Sequence, residues 1–198
     1  MMIINPYRFA AATTLTNNCL YSRDLTNGVW TTPNVTETYD QTGIDGDANT
    51  ATLLAPTSSG LRRAEQANVA VNANEVNCLS MFFRKGYSDD MNLQIRYSNS
   101  TSKRVGGVFN SVTGIASLDY DNCGDGVYSV VDYDASWWRV MISGTDQWTS
   151  SVVSIFMYIT TSSQQNTIVG NVGLYPGATV AEVTAHAPIY TTSSPVTE

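Results

Sequence analysis

Asn92-Leu93-Gln94-Ile95-Arg96-Tyr97 alternates without a break. Leu93, Ile95 and Tyr97 fall on one face of an extended chain and Asn92, Gln94 and Arg96 on the other, the period of two that a half-buried strand requires. Two further runs, Cys78-Leu79-Ser80-Met81-Phe82-Phe83 and Val152-Val153-Ser154-Ile155-Phe156-Met157-Tyr158-Ile159, are apolar at nearly every position. Such runs read as central strands covered on both faces. Working outward, strands are expected over 60–68, 103–110, 115–120, 126–133, 137–143 and 167–175, punctuated by turn signals such as Asn122-Cys123-Gly124-Asp125-Gly126. Almost nothing has helical spacing. Ten or so short strands at this spacing predict an all-β, antiparallel β-sandwich of the jelly-roll kind.

A chain of 198 residues suits one domain with tails. The expected division is an extended N-terminal arm over 1–14, a sandwich over 15–190 and a flexible, solvated tail over 191–198. Hydrophobic residues make up 42% and charged residues 14%, against a typical charged share of roughly a quarter, so Ser, Thr, Asn and Gln must cover the surface.

The formal net charge is −7. No basic run is present, which argues against nucleic-acid binding, because phosphate neutralisation needs clustered positive charge. Cys19, Cys78 and Cys123 are odd in number and widely spaced, the pattern of buried free thiols rather than of a disulfide set or a zinc site. No stretch approaches the roughly 20 apolar residues of a membrane span. Met1-Met2-Ile3-Ile4-Asn5-Pro6 lacks the basic start and apolar core of a signal peptide, so synthesis and folding in a cytoplasm are expected.

Several pieces, taken in order, carry a resemblance. Ile4-Asn5-Pro6-Tyr7-Arg8-Phe9 resembles the start of many phage head and tail proteins. The stretch from Cys19 to Trp30 resembles an "N-L-x-Y-S-x-D-F-x-N-x-x-W" entry, with Cys19 in place of the usual asparagine. Asp45-Gly46-Asp47-Ala48-Asn49-Thr50-Ala51-Thr52-Leu53 resembles a "D-G-T-x-T-A-x-x-L" turn and strand, Leu79 to Gly86 an "x-S-x-[FY]-x-K-x-G" strand, and Trp137-Trp138-Arg139 a "W-Y-R" element. Gly173 to Ala178 with Pro188-Ile189-Tyr190-Thr191-Thr192 resembles a closing "x-Q-L-E-x-G … P-Y-x-x-T". Together they are similar to a family of phage virion proteins with a jelly roll like that of carbohydrate-binding modules. That resemblance implies a virion structural protein, foremost a capsid decoration or cement protein bound to the major capsid protein or other virion proteins, as a homotrimer. The alternative is a carbohydrate-binding, host-receptor module of a head or tail fibre.

The residue inventory argues against an enzyme. The one histidine, His186, lies between Ala185 and Ala187 with no G-x-S-x-G elbow in the chain. Asp89, Asp90, Asp119, Asp121, Asp132 and Asp134 provide carboxylates, but most stand beside Gly, Asn or Ser, where turn chemistry explains them. No cofactor is expected beyond a structural calcium. Asp45, Asp47 and Asn49 place oxygen ligands on alternate residues, which suits calcium, although Thr50 and Pro56 stand where an EF-hand loop needs Gly and Glu.

Two binding elements remain. Pro6, Tyr7, Arg8 and Phe9 put two rings and a planar cation on the arm, a composition suited to docking in a neighbour's groove. Along 137–142, alternation puts Trp138, Val140 and Ile142 on the core face, and Trp137, Arg139 and Met141 on the other. Trp137 and Trp148 are therefore the expected surface aromatics, serving either a glycan or a subunit interface.

Overall fold

Strand formation follows the alternation just described, and the computed structural model describes residues 14–58, 60–98, 100–159 and 165–198. The strands of the first sheet are β3 (Val35–Gln41), β4 (Ala51–Pro56), β6 (Val76–Arg84), β10 (Val127–Asp132), β11 (Trp137–Thr145) and β13 (Thr167–Pro176). Those of the second are β2 (Trp30–Thr31), β5 (Arg63–Ala70), β7 (Met91–Tyr97), β8 (Arg104–Phe109), β9 (Ala116–Asp121) and β12 (Val152–Ile159). The first sheet runs β10-β11-β6-β13-β4-β3 and the second β2-β5-β12-β7-β8-β9, with every pairing antiparallel. A two-stranded ribbon joins β1 (Thr16–Asn17) to β14 (Val196–Thr197). The all-β sandwich expected from the sequence is the fold observed.

The core lies between the sheets. Leu79, Met81 and Phe83 of β6, Val140 and Ile142 of β11, and Val169, Val172 and Leu174 of β13 face Leu93, Ile95 and Tyr97 of β7 and Val153, Ile155 and Met157 of β12. Each fully buried Leu, Ile or Phe contributes about 1.5–3 kcal/mol in area removed from water, so these strands dominate the stability. The Tyr97 hydroxyl, deep in this layer, donates to the Gly144 carbonyl at 2.6 Å, which satisfies the one polar atom that such a ring brings inside. Cys19 and Cys123 lie in the same core, and all three cysteines are free and buried.

The outer face of the first sheet is not solvent. One helix, α1 (Val180–Ala185), and the segment after it lie across β6, β11 and β13, burying Cys78, Met141 and Tyr175 against Leu15, Ala178, Val183 and Ile189. Six residues are too few to show a helical hydrophobic period, yet α1 opens with a capping box. Thr179 accepts from the Glu182 backbone and the Glu182 carboxylate accepts from Thr179. Thr179-x-x-Glu182 was thus the sequence signal for a helix that period alone could not reveal.

Asn17 ties this cover down. Its carboxamide donates to the Val172 and Ile189 carbonyls at 3.2 and 2.9 Å and accepts from the Cys19 and Leu174 amides at 3.0 and 3.1 Å. Arg139 does the same from below: only 2% exposed, it donates to the Ser80 hydroxyl and the His186 carbonyl and lies 5.1 Å from the Phe82 ring centre.

The segment 191–198 is tied at its two ends, since Thr191 is buried with its hydroxyl donating to the Cys19 carbonyl and Leu15 and Glu198 exchange both backbone hydrogen bonds at 2.9 Å, while 192–195 stay exposed. One expectation is corrected here. Trp137 is not a surface aromatic. It points away from the inter-sheet core, as alternation requires, but packs with Ala51, Phe82 and Ile168 and is 3% exposed. Alternation identifies a face; it does not say whether another segment covers that face.

Candidate functional site

The outer face of the second sheet differs. Along β7 the outward residues are Asn92, Gln94 and Arg96, and the register places Tyr158, Phe156 and Ser154 of β12 on one side and Val108, Gly106 and Arg104 of β8 on the other. Beyond these stand Arg63 and Glu65 of β5 and Tyr120 of β9. Leu61, Arg63, Asn92, Gln94, Arg96, Arg104, Tyr120 and Tyr158 line an open groove of about 420 Å³, within the range of roughly 300–1,000 Å³ common to ligand sites.

A polar chain forms the floor. Arg96 Nε donates to Gln94 Oε1 at 2.9 Å, Gln94 donates to Asn92 Oδ1, and Arg96 Nη2 donates to the Tyr158 hydroxyl at 2.6 Å. The Arg96 guanidinium lies 4.1 Å from the centre of the Phe156 ring, and Phe156 and Tyr158 are nearly parallel neighbours at 5.6 Å. Arg104 stacks 3.5 Å from the Tyr120 ring centre, and Arg63 pairs with Glu65 at 2.9 Å. Burial raises the Tyr158 phenol above its ordinary value against the opposing charge of Arg96, so it is a neutral hydroxyl at physiological pH.

Gly106 sits between the stacked arginines. A Cβ there would come within 2.4 Å of the Leu93 carbonyl oxygen and 2.7 Å of Gln94 Cγ, so glycine is what lets the Gln94 side chain lie across β8. Neutral amides, ring edges and guanidinium forks are groups that bind hydroxyl-rich or anionic ligands.

The sequence-predicted sites lie elsewhere. Pro6, Tyr7, Arg8 and Phe9, and with them most of the expected arm, lie outside the described residues. Trp148 is half-buried: its ring lies 5.6 Å from Tyr97, with Lys103 at 5.9 Å.

Asp45, Asp47 and Asn49 form an exposed turn rather than a ring of free oxygens. Asp45 pairs with Arg23 at 2.8 Å and accepts from the Asp47 amide and the Thr50 hydroxyl. Burial alone would raise the Asp45 carboxyl, but the Asp47 N–H, the Arg23 charge and the Thr50 hydroxyl together hold it below its usual value. A carboxylate already engaged by an arginine does not need calcium to balance it.

Of the acidic residues considered for catalysis, Asp132 pairs with Lys85 at the end of β10 and two others serve turns. Asp121 accepts from the Gly124 and Gly126 amides, and Asp134 from those of Ser136 and Trp137. His186 ends α1, its backbone N–H bonded to Val183 and its carbonyl to Arg139. Among the described residues one group of metal-ligand type gathers, Asp121, Cys123 and Asp125, but the two carboxylates already accept from the 124–126 loop and from Thr145. Burial pushes the Cys123 thiol up to about 12. No helix among the described residues is long and apolar enough to cross a membrane.

Comparison with known proteins bears on the fold. No family model matches the sequence, and no curated protein matches it. Among solved structures, the enzymatically active domain of tailspike protein 4 of bacteriophage CBA120 superposes with a TM-score of 0.50 at 13% identity, over 80% of this chain and 21% of its own length. An exo-beta-agarase superposes with a TM-score of 0.52 at 12% identity, over 81% of this chain and 25% of its own. The CBM22-1 xylan-binding domain from Paenibacillus barcinonensis Xyn10C reaches a TM-score of 0.47 at 13% identity, covering 86% of this chain and 98% of the domain. The chain thus spans about a fifth of the tailspike domain and a quarter of the agarase, and at these identities the likeness is one of fold.

Proposed function

We propose that this protein is a carbohydrate-binding β-sandwich serving a phage particle, with the sugar lying in the groove across β5, β12, β7, β8 and β9. One observation carries the reading: Asn92, Gln94, Tyr158 and Tyr120 bring amides, a neutral phenol and a ring to one open groove on the outer face of the second sheet. Amide and hydroxyl pairs meet sugar hydroxyls, and a ring supplies the apolar face against which a pyranose packs. The role proposed is binding without catalysis; the Asp121 and Asp134 carboxylates, accepting from turn amides, are consistent with it. Occurrence of the same fold within a phage tailspike domain and an exo-beta-agarase supports this setting.

Capsid decoration is the second reading, with the major capsid protein or another virion protein as partner, a homotrimer as the assembly and the virion as its location. Val112, Ile115 and Leu118, exposed around the β8–β9 hairpin with Ile115 at 70%, favour it, because such residues suit a contact between proteins.

One experiment ranks the two: a glycan array beside co-sedimentation with shells lacking the protein. Array binding that falls at least about tenfold, or 1.4 kcal/mol, in Tyr120→Ala is expected. Shell binding that saturates while the array stays blank would reverse the order.

A further inference from the structure

The arginines of the groove are more than the binding of neutral hydroxyls requires. Arg96 and Arg104 stand directly opposite each other across the β7–β8 pair, and like charges at facing positions destabilise a sheet. Neither has a carboxylate partner among the described residues, although the protein carries a net charge of −7. Acidic side chains are plentiful, yet none meets this pair.

The two side chains splay apart, Arg96 to Phe156 and Arg104 to Tyr120. Ring stacking occupies the flat faces of the guanidinium groups and leaves their N–H edges available. Of the five N–H donors on each arginine, Arg96 uses one toward Gln94 and one toward Tyr158. Arg104 donates to no partner among the described residues, and its Nε is shielded from solvent as well. A donor deprived of both water and a protein acceptor is costly until a ligand supplies one.

We infer that the groove selects acidic sugars: a sugar carboxylate sits in the groove between the forks of Arg96 and Arg104. This rests on the carbohydrate reading above and narrows its ligand to carboxylate-bearing saccharides. Planar, bidentate pairing with a carboxylate is what a rigid guanidinium offers and an ammonium does not. Nucleic acid fits less well, because two free cations on a surface otherwise negative neutralise too few phosphates.

The test is calorimetric titration of the full chain with oligomers of galacturonate, mannuronate and hyaluronan, each beside its carboxyl-reduced form. Binding of an acidic oligomer is expected, at least about tenfold tighter than its reduced form, with a similar loss in Arg104→Gln and in Arg104→Lys and weakening at raised salt. Arg104→Lys retains the charge and removes the fork, so full affinity in that variant would overturn the pairing geometry. Equal binding of reduced and acidic oligomers overturns the inference and leaves the carbohydrate reading standing. Displacement by single-stranded DNA as effective as by the acidic oligomer overturns it too, as mere charge. Absence of binding to every saccharide overturns both.

Discussion

The two outer faces of this sandwich carry similar chemistry and put it to opposite use. On the first sheet Arg139 lies beside the Phe82 ring, beneath the segment that follows α1, with Ser80 and His186 taking its donors. On the second sheet Arg96 lies beside Phe156 and Arg104 beside Tyr120, with no segment of the described chain across them and most of their donors unspent. An arginine over an aromatic is therefore not in itself a sign of function. Whether the N–H edge meets the protein's own carbonyl or an open groove decides it.

The covered face should break hardest. Asn17→Ala removes four buried hydrogen bonds at once, those to the Val172 and Ile189 carbonyls and from the Cys19 and Leu174 amides, with Asn171 still reaching the Ile189 carbonyl. Each buried group left unsatisfied costs about 1–3 kcal/mol, so a loss of more than about 3 kcal/mol is expected in urea unfolding. A loss below about 1 kcal/mol would mean that water reaches the seam and that the cover is loose.

Alkaline titration sharpens the contrast. Cys78 points to the outer side of its sheet, yet burial pushes its thiol up to about 12 from an ordinary 9.0, and burial raises the Tyr175 phenol beside it. The folded state holds the proton where the unfolded chain releases it, so stability is fully present below pH 9 and falls as pH rises toward 12. Alkylation of native protein near pH 8 should spare all three thiols, which become reactive on unfolding. Rapid native-state modification of Cys78 would show that α1 lifts away readily.

The smallest effect belongs to the open face. Arg104→Gln removes a cation that no carboxylate balances among the described residues, so the urea midpoint should move by less than about 0.5 kcal/mol. A large loss would recast the stacked arginine as structural glue like Arg139.

These contrasts bear on what was legible in the sequence. The two faces of β7 and the doubly covered β6 followed from period and apolarity, and the facing of Trp137 and Trp138 was read correctly from alternation, although Asn92 and Gln94 on the outward face of β7 are buried rather than exposed. What alternation lacked was the third layer. Residues 186–191 return across the first sheet through contacts more than 150 residues apart in the chain, such as Asn17 to Ile189, and no local pattern announces that. The groove escaped for the same reason. Arg63, Arg96 and Arg104 come from strands brought together by the order β5-β12-β7-β8, and along the sequence they lie apart from one another. Gln94 and Arg96 were placed on the outer face of β7, but their partners Phe156 and Tyr158 lay in a run that read as wholly core.

The ribbon of β1 and β14 has a mechanical consequence. Because Leu15 and Glu198 are bonded to each other, a force drawing those residues apart does not pull along the long strands of the sandwich. It peels a short zipper, one pair of bonds at a time, so the ribbon yields first, as a fuse does.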